Sequence, residues 1–153
     1  MKLICDVVTK PLKVVPDDRG FLMEMLRADW PEFRCFGQAY VTACYPGVIK
    51  AWHFHKRQWD NFVCVHGMAK VVLHDARDDS PTRGSTNEFH IGALNPLLIT
   101  IPPLVHHGFT AEGPSLALII NLPTSFYDSS APDEYRLAYN DPAIPYEWEV
   151  KHR

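Results

Sequence analysis

Gly47-Val-Ile-Lys-Ala-Trp-His53-Phe-His55-Lys-Arg-Gln-Trp-Asp60-Asn-Phe-Val-Cys-Val-His-Gly67 is the stretch that decides the fold. Val48–Phe54 and Asn61–Val65 are rich in β-branched and aromatic residues and read as two strands of a hairpin. Residues two apart on a strand share a face, so His53 and His55 project together. Asp60 opens the second strand, where its carboxylate can swing toward the same spot. The stretch lies in the one long proline-free segment, residues 47–80, of a chain with 13 prolines. Proline removes a backbone donor and breaks helix interiors, so its spread through the rest excludes a helical bundle.

Working outward, further short β-like runs occur at Leu3–Val8, Phe21–Leu26, Gln38–Cys44, Ala69–His74, Glu88–Ile91, Leu97–Ile101 and Ser115–Asn121. Turn signals such as Asp17-Asp18-Arg19-Gly20, Tyr45-Pro46-Gly47 and Glu112-Gly113-Pro114 separate them. Helix is expected only around Ala28–Phe36, broken by Pro31, and near Asp133–Leu137. The charge run Asp75–Asp79 reads as a solvated turn containing Asp/Arg pairs, and Trp52 and Trp59 read as packing residues. No repeat or linker divides the chain. The expectation is one all-β domain spanning 1–153, a sandwich or barrel.

Composition narrows the function. With 153 residues, 46% hydrophobic and a net charge of −3, the chain suits a folded domain and not a disordered one. That charge gives no global attraction to nucleic acid or to an anionic membrane. The longest apolar stretch, Leu94–Val105, contains three prolines and falls short of the ~20 residues of a membrane helix. Met1-Lys-Leu-Ile-Cys-Asp6 lacks the apolar run of roughly 7–15 residues that a signal peptide needs. Cys5, Cys35, Cys44 and Cys64 have no CxxC spacing and read as reduced structural thiols. A cytoplasmic protein is expected.

A third imidazole can come from His106 or His107 in Ile101-Pro-Pro-Leu-Val-His-His-Gly108. Three imidazoles and a carboxylate (His53, His55, His107 and Asp60) suit one divalent transition metal: Fe, Mn, Ni, Zn or Co. Paired histidines on an exposed strand face are also ordinary. What favours a site is the frame: glycine, five residues, HxH, four residues, an acid, six residues, glycine. This resembles the first motif of the cupin superfamily, with Asp60 where Glu is usual. Pro102 to His107 resembles the second, with Leu104 in place of its glycine. The resemblance implies a double-stranded β-helix, the jelly-roll barrel.

Within cupins the chain resembles the dTDP-4-dehydrorhamnose 3,5-epimerase family from about residue 12 to 148. The residues that carry the likeness are Asp18-Arg19-Gly20-Phe21, Glu24, Gln38 and Gly47-Val-Ile-Lys50-Ala-Trp-His53. Asp75-Ala-Arg77, Asp79-Ser80-Pro81-Thr82, His107-Gly108-Phe109, Phe126-Tyr127 and Asn140-Asp141-Pro142 continue it. It implies that Arg19, Glu24, Gln38 and Lys50 hold a nucleotide sugar, partly across a homodimer interface. It also implies that His53 is a base removing a proton next to a ketone, with no organic cofactor. Lys50 stands where the family usually has Arg, keeping the charge without the bidentate fork.

Departures are equally specific. Ile119 or Ile120 stands where the family carries a catalytic tyrosine, Asp60 where it carries a lysine, and His55 where it carries a glutamine. The related ketoisomerases do carry HxH followed by lysine, as in His53-Phe-His55-Lys56. The resemblance implies an epimerase or isomerase acting on a dTDP-4-keto-6-deoxy sugar, with His53 and His55 catalytic. The alternatives are a metal-dependent cupin with a non-sugar substrate and a non-catalytic sugar-nucleotide binder.

Overall fold

The computed structural model describes residues 2–149. Two five-stranded antiparallel sheets face each other. The first is ordered β1 (Val8–Pro11), β9 (Leu97–Ile101), β6 (Asp60–His66), β11 (Ala117–Asn121), β4 (Tyr40–Cys44). The second is ordered β12 (Tyr135–Arg136), β5 (Ile49–Phe54), β10 (Val105–Glu112), β7 (Met68–Asp75), β8 (Thr86–Gly92). A separate hairpin pairs β2 (Val14–Asp17) with β3 (Gly20–Met23). The predicted jelly roll is therefore present, as two facing sheets that do not close into a continuous barrel.

Alternation along the strands sorts the side chains into three layers. Phe62 and Cys64 of β6, Val71 and Leu73 of β7, Ile99 and Ile101 of β9, and Ile119 of β11 fill the space between the sheets. The residues between them face outward. Val63 and Leu98 pack under Met23, Met25, Leu26 and Trp30 on one outer face. Trp52 and Val72 pack under Leu137, Ile144, Tyr146 and Trp148 on the other. Trp52 is fully buried, so its packing role stands.

Four expectations are corrected. β5 and β6 do not pair as a hairpin: the chain crosses between them from one sheet to the other, β5 pairing with β10 and β12 and β6 with β9 and β11. Residues 28–36 form turns, not helix: Trp30 N–H donates to the Arg27 carbonyl and Phe33 N–H to that of Trp30, each three residues back. Pro31, without an N–H, prevents these turns from propagating. The Asp133–Leu137 segment contributes the short strand β12, not a helix. The charge run is not solvated at its start. Asp75 is 0% exposed and accepts from Arg77, Ser80 and Thr82, and the Arg77 guanidinium also donates to the Cys5 carbonyl. The four cysteines are free thiols, Cys44 and Cys64 being buried. His90 is a surface residue, and His152 lies outside the described residues.

Candidate active site

At one end of the inter-sheet space the inward-facing positions turn polar. β10 presents Val105, His107 and Phe109 to the interior, and β6 begins its inward set with Asp60. β11 ends its own inward set, Ala117 and Ile119, on Asn121. β4 lays Tyr40 opposite Asn121 in the ladder, and β5 lays His53 opposite His107. Strands β5 and β10 meet closely because Gly108 has no side chain; a Cβ there would lie 2.4 Å from that of Ala51. These positions surround a cavity of about 570 Å³, which Gln38, Lys50, Phe126, Tyr127, Glu134 and Arg136 also line.

The polar floor of the cavity is organised by Asp60, which is 1% exposed. Its Oδ1 accepts from Gln58 Nε2 at 2.9 Å and from Asn121 Nδ2 at 2.8 Å. Its Oδ2 faces His55 Nε2 at 3.1 Å and His107 Nε2 at 3.3 Å. Each ring uses its other nitrogen on a backbone carbonyl: His55 Nδ1 on Asp133, and His107 Nδ1 on Val105 at 3.1 Å. A carbonyl only accepts, so both Nδ1 atoms carry protons and a neutral ring offers Asp60 a bare Nε2 lone pair. The two ring nitrogens and a carboxylate oxygen lie within 4.8 Å of one another, and Gln58 Nε2 also approaches His55 Nε2 at 3.3 Å.

The local field says which ring can take a proton. Burial alone would lower His55, but the Asp60 carboxylate and the Asp133 carbonyl outweigh it and push the imidazole up to about 9. Burial dominates at His107 and takes it down to about 4. Asp60 stays below the ordinary carboxylate range despite its burial, because His55 bonds to it and His107 and Asn121 lie against it. His53 is lowered by burial and by the Arg136 charge, and among the described residues no hydrogen bond engages its ring. The site therefore holds one neutral, unengaged imidazole, His53, and two imidazoles, His55 and His107, set against a buried carboxylate.

Of the residues singled out from sequence, Gln38, Lys50, His53, His55 and His107 line the cavity, with Asp60 beneath it. Lys50 is held by Thr42 Oγ1 at 2.7 Å and the Ala43 carbonyl at 3.0 Å. His53 stands beside the three-residue Asp60 cluster and outside it, its ring centroid 6.2 Å from that of His107. Arg19 and Glu24 do not line the cavity of their own chain; they pair with Asp17 and Arg27 on the protein's surface. Sequence reasoning missed Tyr40, Gln58, Asn121, Asp133 and Arg136. Asn121 had a signal: it is the lone polar residue at an inward position of an apolar strand. Asp133 had none, since its carboxylate accepts the Lys56, Arg57 and Gln58 N–H groups across 75 residues or more.

A double-sheet jelly roll with histidines and a buried acid at the open end of its inter-sheet space is a cupin-type domain built around a small-molecule site. The sequence profile described as dTDP-4-dehydrorhamnose 3,5-epimerase matches residues 2–153, and the chain belongs to that family. It is 44% identical to the "probable low-salt glycan biosynthesis epimerase" of Haloferax volcanii, over 99% of this chain and 98% of that one. It is 40% identical to the spore coat polysaccharide biosynthesis protein SpsL of Bacillus subtilis, over 99% of this chain and 100% of that one. A crystal structure of a dTDP sugar isomerase from Desulfovibrio desulfuricans G20 superposes with a TM-score of 0.90. The two are 32% identical, with 95% of this chain and 92% of that chain covered.

Proposed function

We propose that this protein is an epimerase or isomerase that moves a proton at a carbon next to the ketone of a dTDP-4-keto-6-deoxy sugar. The observation that carries the reading is His53, a neutral imidazole with a free ring edge, facing a cavity of about 570 Å³ in a chain of this family. A base for carbon acids must be unprotonated near neutral pH and open to the substrate's cavity; burial keeps His53 neutral, and its ring lines that cavity. Lys50 and Arg136 on the cavity wall suit the diphosphate, and Phe126 and Tyr127 offer faces for a base or sugar ring. Incubation with dTDP-4-keto-6-deoxyglucose in deuterated water tests the reading. Deuterium should enter the carbon beside the ketone, and incorporation no greater than that of a His53→Ala control would sink it.

A homodimer fits the surface. Hairpin β2–β3 carries exposed Val15, Phe21 and Leu22, with Arg19 and Glu24 nearby, so a second copy would cover that apolar face and receive both residues in its cavity. Sedimentation of the chain should give twice its monomer mass, and of Phe21→Asp the monomer mass.

The Asp60 cluster favours a second reading, binding of a divalent transition metal by His55, Asp60 and His107. Ligands sharing one ion at ~2.1 Å lie about 3 Å apart. The Asp60 Oδ2 separations of 3.1 and 3.3 Å match, and the backbone carbonyls already fix both rings with Nε2 inward. Such an ion would supply Lewis-acid polarisation of a carbonyl. Elemental analysis and Co²⁺ reconstitution should show about one ion per chain, lost in His55→Ala and Asp60→Ala. Absence of metal in both experiments removes this reading and leaves a proton on His55 as the balancing cation.

A further inference from the structure

Inverting a carbon next to a ketone needs two groups: a base on one face and a proton donor on the other. His53 is the base of the reading above, on which this inference rests, and β11 supplies no donor at Ile119 or Ile120. Across the ladder from Asn121, Tyr40 brings a phenol from β4 to the cavity wall.

Hydrogen bonding dictates the phenol's orientation. Asn121 is 0% exposed, and its Oδ1 accepts the Asn61 N–H at 3.0 Å. Its Nδ2 therefore points the other way, donating to Asp60 Oδ1 at 2.8 Å and to the Tyr40 oxygen at 2.9 Å. An amide NH₂ has no lone pair to offer, so Tyr40 is the acceptor in that bond. The phenol's own proton is left over, and among the described residues nothing accepts it. Tyr127 also lines the cavity, but it is 60% exposed and no hydrogen bond among the described residues orients its hydroxyl.

We propose that Tyr40 is a further catalytic residue, the acid that protonates the substrate carbon on the face opposite His53, with Asn121 as its positioning residue. His53 takes the proton from carbon, and the C–H electron pair moves into the enolate, with the charge on the carbonyl oxygen. The Tyr40 O–H bond then breaks. Its proton bonds to the same carbon from the other side as the carbonyl re-forms, and its electron pair stays on the phenolate oxygen, which Asn121 Nδ2–H stabilises. One proton has left the substrate for imidazole and one has arrived from phenol. Exchange with water returns both groups to their starting states.

The test follows deuterium and stereochemistry together by NMR, with dTDP-4-keto-6-deoxyglucose in deuterated water. In Tyr40→Phe, deuterium should still enter the carbon through His53 with the configuration retained, while inverted product falls at least ~100-fold. Asn121→Ala should lower kcat for inversion about tenfold at unchanged KM, again with wash-in preserved. Inversion by Tyr40→Phe within tenfold of the parent overturns the proposal, as does loss of wash-in together with inversion in a variant whose melting temperature is unchanged. Absence of wash-in in the parent chain is a different failure, and it falls on the keto-sugar reading itself.

Discussion

The molecule buries two aspartates almost completely and treats them in opposite ways. Asp75, at the end of β7, is paired with Arg77 at 2.8 Å and accepts two hydroxyls besides. Asp60, at the start of β6, faces two imidazoles and two amide groups. A guanidinium is always charged, so the Asp75 pair is neutral at every pH the protein meets and has nothing left to give. An imidazole can gain or lose its proton or bind an ion, so the charge balance around Asp60 is conditional. The first arrangement fastens a loop to the sheet. The second can do chemistry.

The largest effect should come from the permanent pair. Asp75→Ala leaves the Arg77 guanidinium without its main carboxylate and two hydroxyls without an acceptor, at an expected cost of about 3–5 kcal/mol in urea unfolding. Deuterium wash-in per folded molecule should be unchanged, because none of these groups touches the cavity. A loss of wash-in in the folded variant would break the division between the two aspartates.

The conditional pair should respond in charge. Asp60→Asn keeps the shape and removes the carboxylate that holds His55 up at about 9. Burial is then opposed only by the Asp133 contacts, and the His55 imidazole should titrate well below 9 in metal-free protein. NMR titration of the ring protons reads it. A His55 that stays near 9 without the carboxylate would place the stabilising charge elsewhere.

His106 shows what burial does to an imidazole with no carboxylate bonded to it, where the Asp141 charge is too weak to offset burial. Its Nδ1 is buried with no partner among the described residues, and burial takes the ring down to about 4. Above pH 6.5 the ring is neutral in folded and unfolded chains alike, so no stability is lost. As pH falls below 6.5 the unfolded chain binds a proton that the folded one refuses, and stability declines until about pH 4. The loss approaches about 3 kcal/mol. His106→Phe, packed against Phe54, should remove that part of the acid sensitivity, measured as the difference in unfolding free energy between pH 7 and 4.5.

The two aspartates also differ in how far sequence could reveal them. Asp60 was legible because the glycine and HxH frame around it is local and periodic, although the two strands it joins enter different sheets and not the expected hairpin. Asp75 was misread because its partners reach it through a turn, and a run of charges has the same composition whether it is solvated or folded inward. Strand β10 was hidden for a related reason. His107 occupies a core position, so the alternation of apolar and polar residues that marks a half-buried strand is interrupted at the site. Asn121 and Tyr40 belong to two strands joined only by the ladder, and pairing of β4 with β11 is not written in either segment. What chemistry needs locally could be read; what the topology brings together could not.

The smallest effect sharpens the comparison most, because it repeats the chemistry of Asp60 without the burial. His90 Nδ1 and Glu112 Oε2 lie 2.7 Å apart, closer than His55 and Asp60 at 3.1 Å, but their side chains are 50% and 35% exposed. Water screens both groups and competes for each hydrogen bond, so distance alone does not set the strength of a pair. A double-mutant cycle of His90→Ala and Glu112→Ala at pH 6 should give a coupling of about 0.5 kcal/mol, and 1 M NaCl should remove most of it. A salt-resistant coupling above about 1.5 kcal/mol would show that the histidine–carboxylate contact is strong in itself. Burial would then lose its place as the reason the Asp60 cluster stands apart.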